Sequence, residues 1–349
     1  MAYIILYSVV FLILLVMSLL KKNSSQSFCM FVIALLLVCF SGFRSEVGVD
    51  YAMYKQLFQS VAFGESVYFE KANIWLIKLI YDIGGEHQLF FFIYALLTVF
   101  FTFEFIKYFS VNYFYSVLIY LSFGMYYFAS MNQIRQYLAV SIFLYSLKYI
   151  YERSLLKYSL FICLAAIFHK SSIILWFLYF FLNRTISFNI YVIVGVLYLV
   201  CLNWVTHLAD VFGYGFYLRS EAFMSERAGL IIYVFIGINF LLLIMKNRVV
   251  KYYKQATIFF NMAYISTLLM LGSVITDMPD ILFFRMNNFF VFYLIILFPF
   301  AANSFKSKSL FYFVCTCMLI FTLFYYTFSI YINGVKYNLL PYNMNLILF

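Results

Sequence analysis

The chain has 349 residues, 66% of them hydrophobic and only 10% charged, and its mean hydropathy is +0.98. That composition excludes a soluble globular domain and identifies a polytopic membrane protein. The net charge of +10 is spread in short basic clusters between apolar runs, so it reports which loops lie in the cytoplasm and gives no footprint for nucleic acid.

Residues 3–20 form the first apolar span, followed by Lys21 and Lys22. No basic stretch precedes it and no small-residue cleavage site follows, so it reads as an anchor and not a signal peptide. The lysines place the loop 21–26 in the cytoplasm, and residues 28–43 return outward to deliver Arg44. Residues 44–87 are the longest polar region. Within it, 73–83 is apolar but too short to cross a bilayer, which predicts an interfacial helix ended by Gly84-Gly85. Residues 89–106 run inward, 113–129 outward and 137–151 inward. The loop 130–136 is then outside and the basic loop 152–157 cytoplasmic.

The basic cluster 246–254 belongs in the cytoplasm too. Counting back from it, 230–245 runs inward, 208–228 is an outer loop, 190–205 runs outward and Asn183-Arg184 is cytoplasmic. Residues 158–182 must then start and finish on one side. A broken segment meets that need, with two half-length helices joined at His169-Lys170-Ser171-Ser172. The alternative is one straight helix, with 246–254 outside. Farther on, 259–276 runs outward to the loop 277–280, and 287–301 runs inward behind Arg285. Residues 310–332 run outward and leave 333–349 outside. The expected fold is an all-α polytopic membrane bundle of about ten or eleven transmembrane helices, one of them broken. It forms a single transmembrane domain over 1–349, with an outer-face loop and interfacial helix at 44–87 and a second outer loop at 208–228.

On this topology Arg44, Asp50, Arg135, Arg219, Arg227 and Arg285 all lie outside, against the positive-inside trend. An arginine so placed needs a carboxylate or an anionic substrate, and its planar fork suits phosphate. Asn132 and Gln136 accompany Arg135, and Asn288 accompanies Arg285. In the stretch 43–54, Gly48 permits a tight bend, Asp50 suits a helix N-cap, and Tyr51 and Tyr54 share a helix face. Two readings stay open there: an interfacial cap with tyrosines anchored at the headgroups, or a phosphate-binding arginine beside a carboxylate base. His169, beside Lys170, Ser171 and Ser172 at the break, suits a base near neutral pH or a hydrogen-bond donor to a leaving phosphate. His87 and His207 lack such company and read as structural. The six cysteines all lie in apolar runs and read as packing. No histidine or acidic spacing suits a metal and no glycine pattern suits a nucleotide, so no metal or cofactor is expected.

Phe43-Arg44, a short spacer and Val47-Gly48-Val49-Asp50-Tyr51-Ala52-Met53-Tyr54 resemble the first signature of the EpsG/Wzy-type polysaccharide polymerases of bacteria. Ile134-Arg135-Gln136 ahead of an apolar helix, Ala165 to Ser171, Phe284-Arg285-Met286 and Pro341-Tyr342 continue the likeness in order, over nearly the whole chain. Val49 stands where such proteins more often carry threonine, and Glu46 has no role that can be carried over. The resemblance implies a metal-independent membrane glycosyltransferase of GT-C-like architecture in the bacterial cytoplasmic membrane, with its active site facing outside. It would transfer a growing glycan from an undecaprenyl-diphosphate donor to a sugar hydroxyl of the incoming lipid-linked repeat, alongside a chain-length regulator protein. Asp50 is then the base, with His169 as the alternative. Arg44, Arg135, Gln136, Arg219 and Arg285 bind diphosphate or sugar, and Tyr51 and Tyr54 stack on sugar. A flippase or transporter of the same lipid-linked oligosaccharide is the competing reading. It calls for ionisable residues along a path through both leaflets, whereas here they cluster outside. An O-acetyltransferase would need a cytosolic acyl-donor site that the sequence does not offer.

Overall fold

The computed structural model describes residues 1–20, 22–211, 230–275 and 280–349. Among the described residues, six helices are long and apolar enough to cross a membrane: Ala2–Leu19, Asn23–Gly42, His87–Phe109, Ile232–Tyr252, Ala256–Ile275 and Lys308–Tyr331. The chain is an all-α, multi-pass membrane protein. It divides into two compact units, one made of Met1–Trp176 with Ser307–Phe349 and the other of Phe177–Lys306.

In the first unit, α1 (Ala2–Leu19) and α2 (Asn23–Gly42) pack side by side. Both are apolar all round. Val10, Leu14, Ile33 and Leu37 are buried while Leu12, Val16, Phe31 and Leu35 are exposed, the pattern of helices covered by lipid where protein does not cover them. A two-residue strand, β1 (Arg44–Ser45), leads to α3 (Tyr51–Ala62) and α4 (Lys71–Asp82). Helix α4 falls within two residues of the expected interfacial helix. It buries Ile77 and Ile80, exposes Trp75 and Leu79, and gives way to Gly84 at φ +80°, a backbone that glycine takes without penalty.

The core of this unit is α5 (His87–Phe109), α8 (Ile134–Tyr151) and α9 (Leu155–Phe168), with α8 packed against both neighbours. The single span expected over 113–129 is divided. Helix α6 (Tyr113–Ser122) stops, the chain turns through 123–128, and a short α7 (Ala129–Asn132) follows. The turn is held by packing that the local pattern does not announce. A Cβ on Gly124 would lie 2.6 Å from Ser329 Oγ, and the Tyr127 hydroxyl donates to the Leu37 carbonyl at 2.6 Å.

A break falls where the charge pattern predicts one. Helix α9 ends at Phe168, His169 is extended (φ −149°, ψ 101°), and a 3-10 helix, Lys170–Phe180, follows. The Tyr158 hydroxyl donates to the Leu175 carbonyl at 2.6 Å and the Trp176 indole to Ser159 at 2.8 Å. The segment after His169 therefore doubles back along α9.

The last helix, Lys308–Lys336, packs on α6, and the chain beyond it returns to the first signature. Strand β2 (Asn343–Met344) pairs antiparallel with β1, Arg44 opposite Met344 and Ser45 opposite Asn343. Backbone bonds extend this contact from Gly48 N–H to Asn338 (2.7 Å), Asn345 N–H to Phe43 (2.8 Å) and Glu86 N–H to Leu348 (2.9 Å). The Tyr3 and Tyr342 hydroxyls add bonds to the Leu339 and Phe40 carbonyls.

The second unit contains α10 (Phe188–Val211), α11 (Leu230–Tyr252), α12 (Ala256–Ile275), α13 (Asp280–Asn287) and α14 (Tyr293–Asn303). Helix α12 is its axis and packs on the other four. Two buried asparagines inside it are partnered, as an apolar setting favours: the Asn261 amide donates to Leu182 (2.7 Å) and Arg184 (2.9 Å), and the Asn239 amide donates to Thr267 (2.7 Å). The span expected over 287–301 is interrupted by turns at 288–292. The Asn287-Asn288 pair there favours local turns over a continuing helix.

Candidate functional site

Arg44 leaves the end of α2 and turns inward. It is 1% exposed. Its Nη1 donates to the Ser41 carbonyl at 2.5 Å, Nη2 to the Met131 carbonyl at 2.7 Å and Nε to the Val47 carbonyl at 3.2 Å. The guanidinium also lies 4.8 Å from the Phe91 ring centroid. Burial pushes its pKa down to about 10, which still leaves it charged at neutral pH. The acceptors are the carbonyl-rich C-terminus of α2, where the helix dipole favours a cation, the loop at Val47, and Met131 in α7. Arg44 thus fastens α2, the signature loop and α7 together.

The loop bends at a glycine that Asn132 crowds. Gly48 sits at φ +103°, and a Cβ there would come 2.7 Å from Asn132 Oδ1. The same Asn132 oxygen accepts the Val49 N–H at 2.8 Å. Gln88 braces the loop from α5, donating to the Gly42 and Arg44 carbonyls at 2.6 and 3.0 Å. Tyr51 and Tyr54 do share a face of α3, and that face is buried, at 2% and 3% exposure. Tyr51 stacks on Phe91 with centroids 4.5 Å apart, while Tyr54 meets Phe69, Phe90 and Phe91.

Arg135, in the first turn of α8, is placed differently. It forms an ion pair with Glu70, donates through Nε to the Tyr54 hydroxyl at 3.3 Å and lies 3.8 Å from the Phe69 ring centroid. Its side chain is 21% exposed and that of Glu70 13%. Glu70 also accepts from the Asn73 amide at 3.2 Å. Asn73 in turn reaches the Phe168 carbonyl at 3.4 Å and accepts from the Tyr94 hydroxyl. One continuous polar path therefore joins the mouth of α8, the start of α4 and the break after α9. His169 follows Phe168 at that break, and Lys170 lies 5.3 Å from the centroid of Tyr68, a ring that is 97% exposed.

Asp50 occupies the N-cap position of α3, and its side chain makes no capping bond to its own helix. It is half-buried and close enough to Tyr54 to act on it electrostatically. Gln136 is buried in α8 at 5% exposure. Arg44, Asp50, Tyr51, Tyr54, Arg135, Gln136 and His169 thus all belong to the first unit. Arg285 is in the last turn of α13 in the second unit. Arg219 and Arg227 lie outside the described residues.

Sequence reasoning passed over Glu70, Asn73 and Tyr94. Glu70 holds the N-cap position of α4, directly after Tyr68-Phe69. A carboxylate between an aromatic pair and an amphipathic helix was the available signal.

The sequence pattern of the EpsG family matches residues 27–344 of the chain. No curated protein and no solved structure matches it.

Proposed function

The chain belongs to the EpsG family, and from that premise we propose that it is a polysaccharide polymerase of the bacterial cytoplasmic membrane. In this reading it joins lipid-linked oligosaccharide repeats on the outer face, with undecaprenyl diphosphate as the carrier of donor and acceptor. The observation that carries the reading is the Arg135–Glu70–Tyr54 cluster. It is a partly exposed guanidinium, aimed by a carboxylate and a phenol, at the end of the helices where Asp50 and the His169 break also lie.

The chemistry assigns each group a task. The acceptor hydroxyl oxygen attacks the anomeric carbon of the donor's first sugar. The bond from that carbon to the diphosphate oxygen breaks, and the diphosphate leaves with the electron pair. Asp50 takes the hydroxyl proton, with His169 as the alternative base or as a donor to the leaving group. Arg135 meets the charge that develops on the diphosphate, which a preorganised cation stabilises most where water is scarce. Glu70 and Tyr54 hold the fork in position until the anion arrives. Arg44 holds the loop that presents Asp50, and Gln136, Arg219 and Arg285 keep the phosphate- or sugar-binding role that the family resemblance gives them.

The test uses the purified full-length protein in nanodiscs and lipid-linked repeats extracted from cells lacking the gene. A ladder of chains extended by one repeat at a time, formed equally well in a metal chelator, is the expected result. Binding of the lipid-linked repeat with no extension would overturn the polymerase reading and favour translocation. Cysteines placed singly at Gln59 and Ser66 should react with an impermeant reagent in intact cells; protection of both would place this end of the bundle in the cytoplasm.

A further inference from the structure

On α3, Ala52, Lys55, Gln56 and Gln59 recur at helical spacing and form a stripe distinct from the buried tyrosine face. Opposite them stand the loop at Glu46 and Gly48 and, from the far end of the sequence, Asn338. Together they bound an open groove of about 420 Å³, within the ~300–1,000 Å³ typical of ligand sites. The two distant segments are tied to each other. Gly48 N–H donates to the Asn338 carbonyl at 2.7 Å, and the Asn338 amide donates to the Glu46 carbonyl at 3.2 Å. Glu46 and Asn338 both hold left-handed backbone, at φ 57° and 50°. That conformation is disfavoured for a residue with a Cβ and persists where the surroundings impose it.

The chemistry of the walls selects a ligand class. One carboxylate, one ammonium and three amides are interspersed with Val49, Tyr51 and Ala52, without the clustered cations that a phosphate would call for. Each amide both donates and accepts, as every sugar hydroxyl does. Val49 and Tyr51 belong to the wall, and Asp50 stands between them. We propose that this groove is a carbohydrate subsite, formed by Glu46, Lys55, Gln56, Gln59 and Asn338, which holds the sugar bearing the attacking hydroxyl. The identity of that sugar as the acceptor rests on the polymerase reading; the affinity of the groove for glycan does not.

The probe is the glycan released by mild acid from the extracted lipid-linked repeats, titrated against the full-length protein in detergent micelles. Gln56 and Gln59 point away from the core, so Gln56→Ala and Gln59→Ala leave the fold intact, which an unchanged melting curve confirms. Each lost amide should weaken glycan binding about fivefold, because a net hydrogen bond is worth about 1 kcal/mol, and the double variant should weaken it well over tenfold. Undecaprenyl phosphate, which has no sugar, should bind wild type and variants alike. Wild-type protein that takes up no glycan, or a double variant that binds it as tightly as wild type, overturns the proposal. Glycan binding that the variants weaken, in a wild-type protein that extends no chains, would uphold the subsite and refute the polymerase.

Discussion

Replacing Arg44 by lysine, and separately by methionine, tells a buried strut from a substrate ligand. The guanidinium is 1% exposed and makes three carbonyl hydrogen bonds through three different nitrogens. A hydrogen bond from a charged donor contributes roughly 1.5–3 kcal/mol, and a buried acceptor left without its donor costs roughly 1–3 kcal/mol. Methionine abandons all three carbonyls, so a loss of about 3–6 kcal/mol is expected after partial relaxation. Lysine keeps the charge but concentrates its donors at one atom, and it cannot reach Ser41, Val47 and Met131 together. A loss of about 2–4 kcal/mol follows. Detergent-solubilised protein, followed by fluorescence-detected size exclusion after heating, should then melt roughly 3–5 °C lower for lysine, with methionine lower still. Chain extension at low temperature by the surviving folded lysine variant should stay within a few-fold of wild type. A lysine variant that melts like wild type and yet extends no chains would refute this account and return Arg44 to the substrate.

Arg135→Lys should show the opposite behaviour, with a near-normal melting curve and extension lowered by about two to three decades, since a single ammonium cannot reproduce a forked contact to a developing anion. Full extension at normal protein levels would reduce Arg135 to a partner of Glu70. Asp50→Asn should lower turnover by about two to four decades while donor binding survives, and His169→Gln should keep part of the activity. If the asparagine variant extends chains normally and the glutamine variant is dead, the base is His169 and Asp50 is only the start of α3. Gly48→Ala should cost about 1–3 kcal/mol from its backbone alone, with the clash at Asn132 Oδ1 in addition. An alanine variant with unchanged yield and melting would show that the loop has more than one shape.

The sequence was most informative where a rule acts locally or along one axis. Hydropathy found the long membrane helices, Gly84-Gly85 marked the end of α4, and the placement of lysines and arginines favoured, over a straight helix, a break near His169 that the hydropathy of 158–182 hides. Helices that divide for distant reasons escaped it. The stop after Ser122 depends on Ser329 and Leu37, and neither is a neighbour in sequence. At the site, residue types were legible but their directions were not. Arg44 and Arg135 read alike as outer arginines; only packing distinguishes one sealed among carbonyls from one held at the surface by Glu70. Tyr51 and Tyr54 were correctly placed on one face, but periodicity alone leaves open whether that face meets solvent, ligand or Phe91.

The pairing of β1 with β2 has a consequence for the order in which the protein is made. Arg44 and Gly48 emerge from the ribosome early, but the segment that completes their surroundings arrives with Asn338 and Met344. At ~5–20 residues per second, the roughly 300 intervening residues take about 15 s to a minute to synthesise. During that interval the loop must wait in the membrane without its partner strand, and the α3 groove lacks one wall. Nascent or prematurely ended chains would therefore present Arg44 and Asp50 without a finished cradle around them. The cradle around Arg44 and Gly48 is finished only once residues 338–345 have been made and have paired with it.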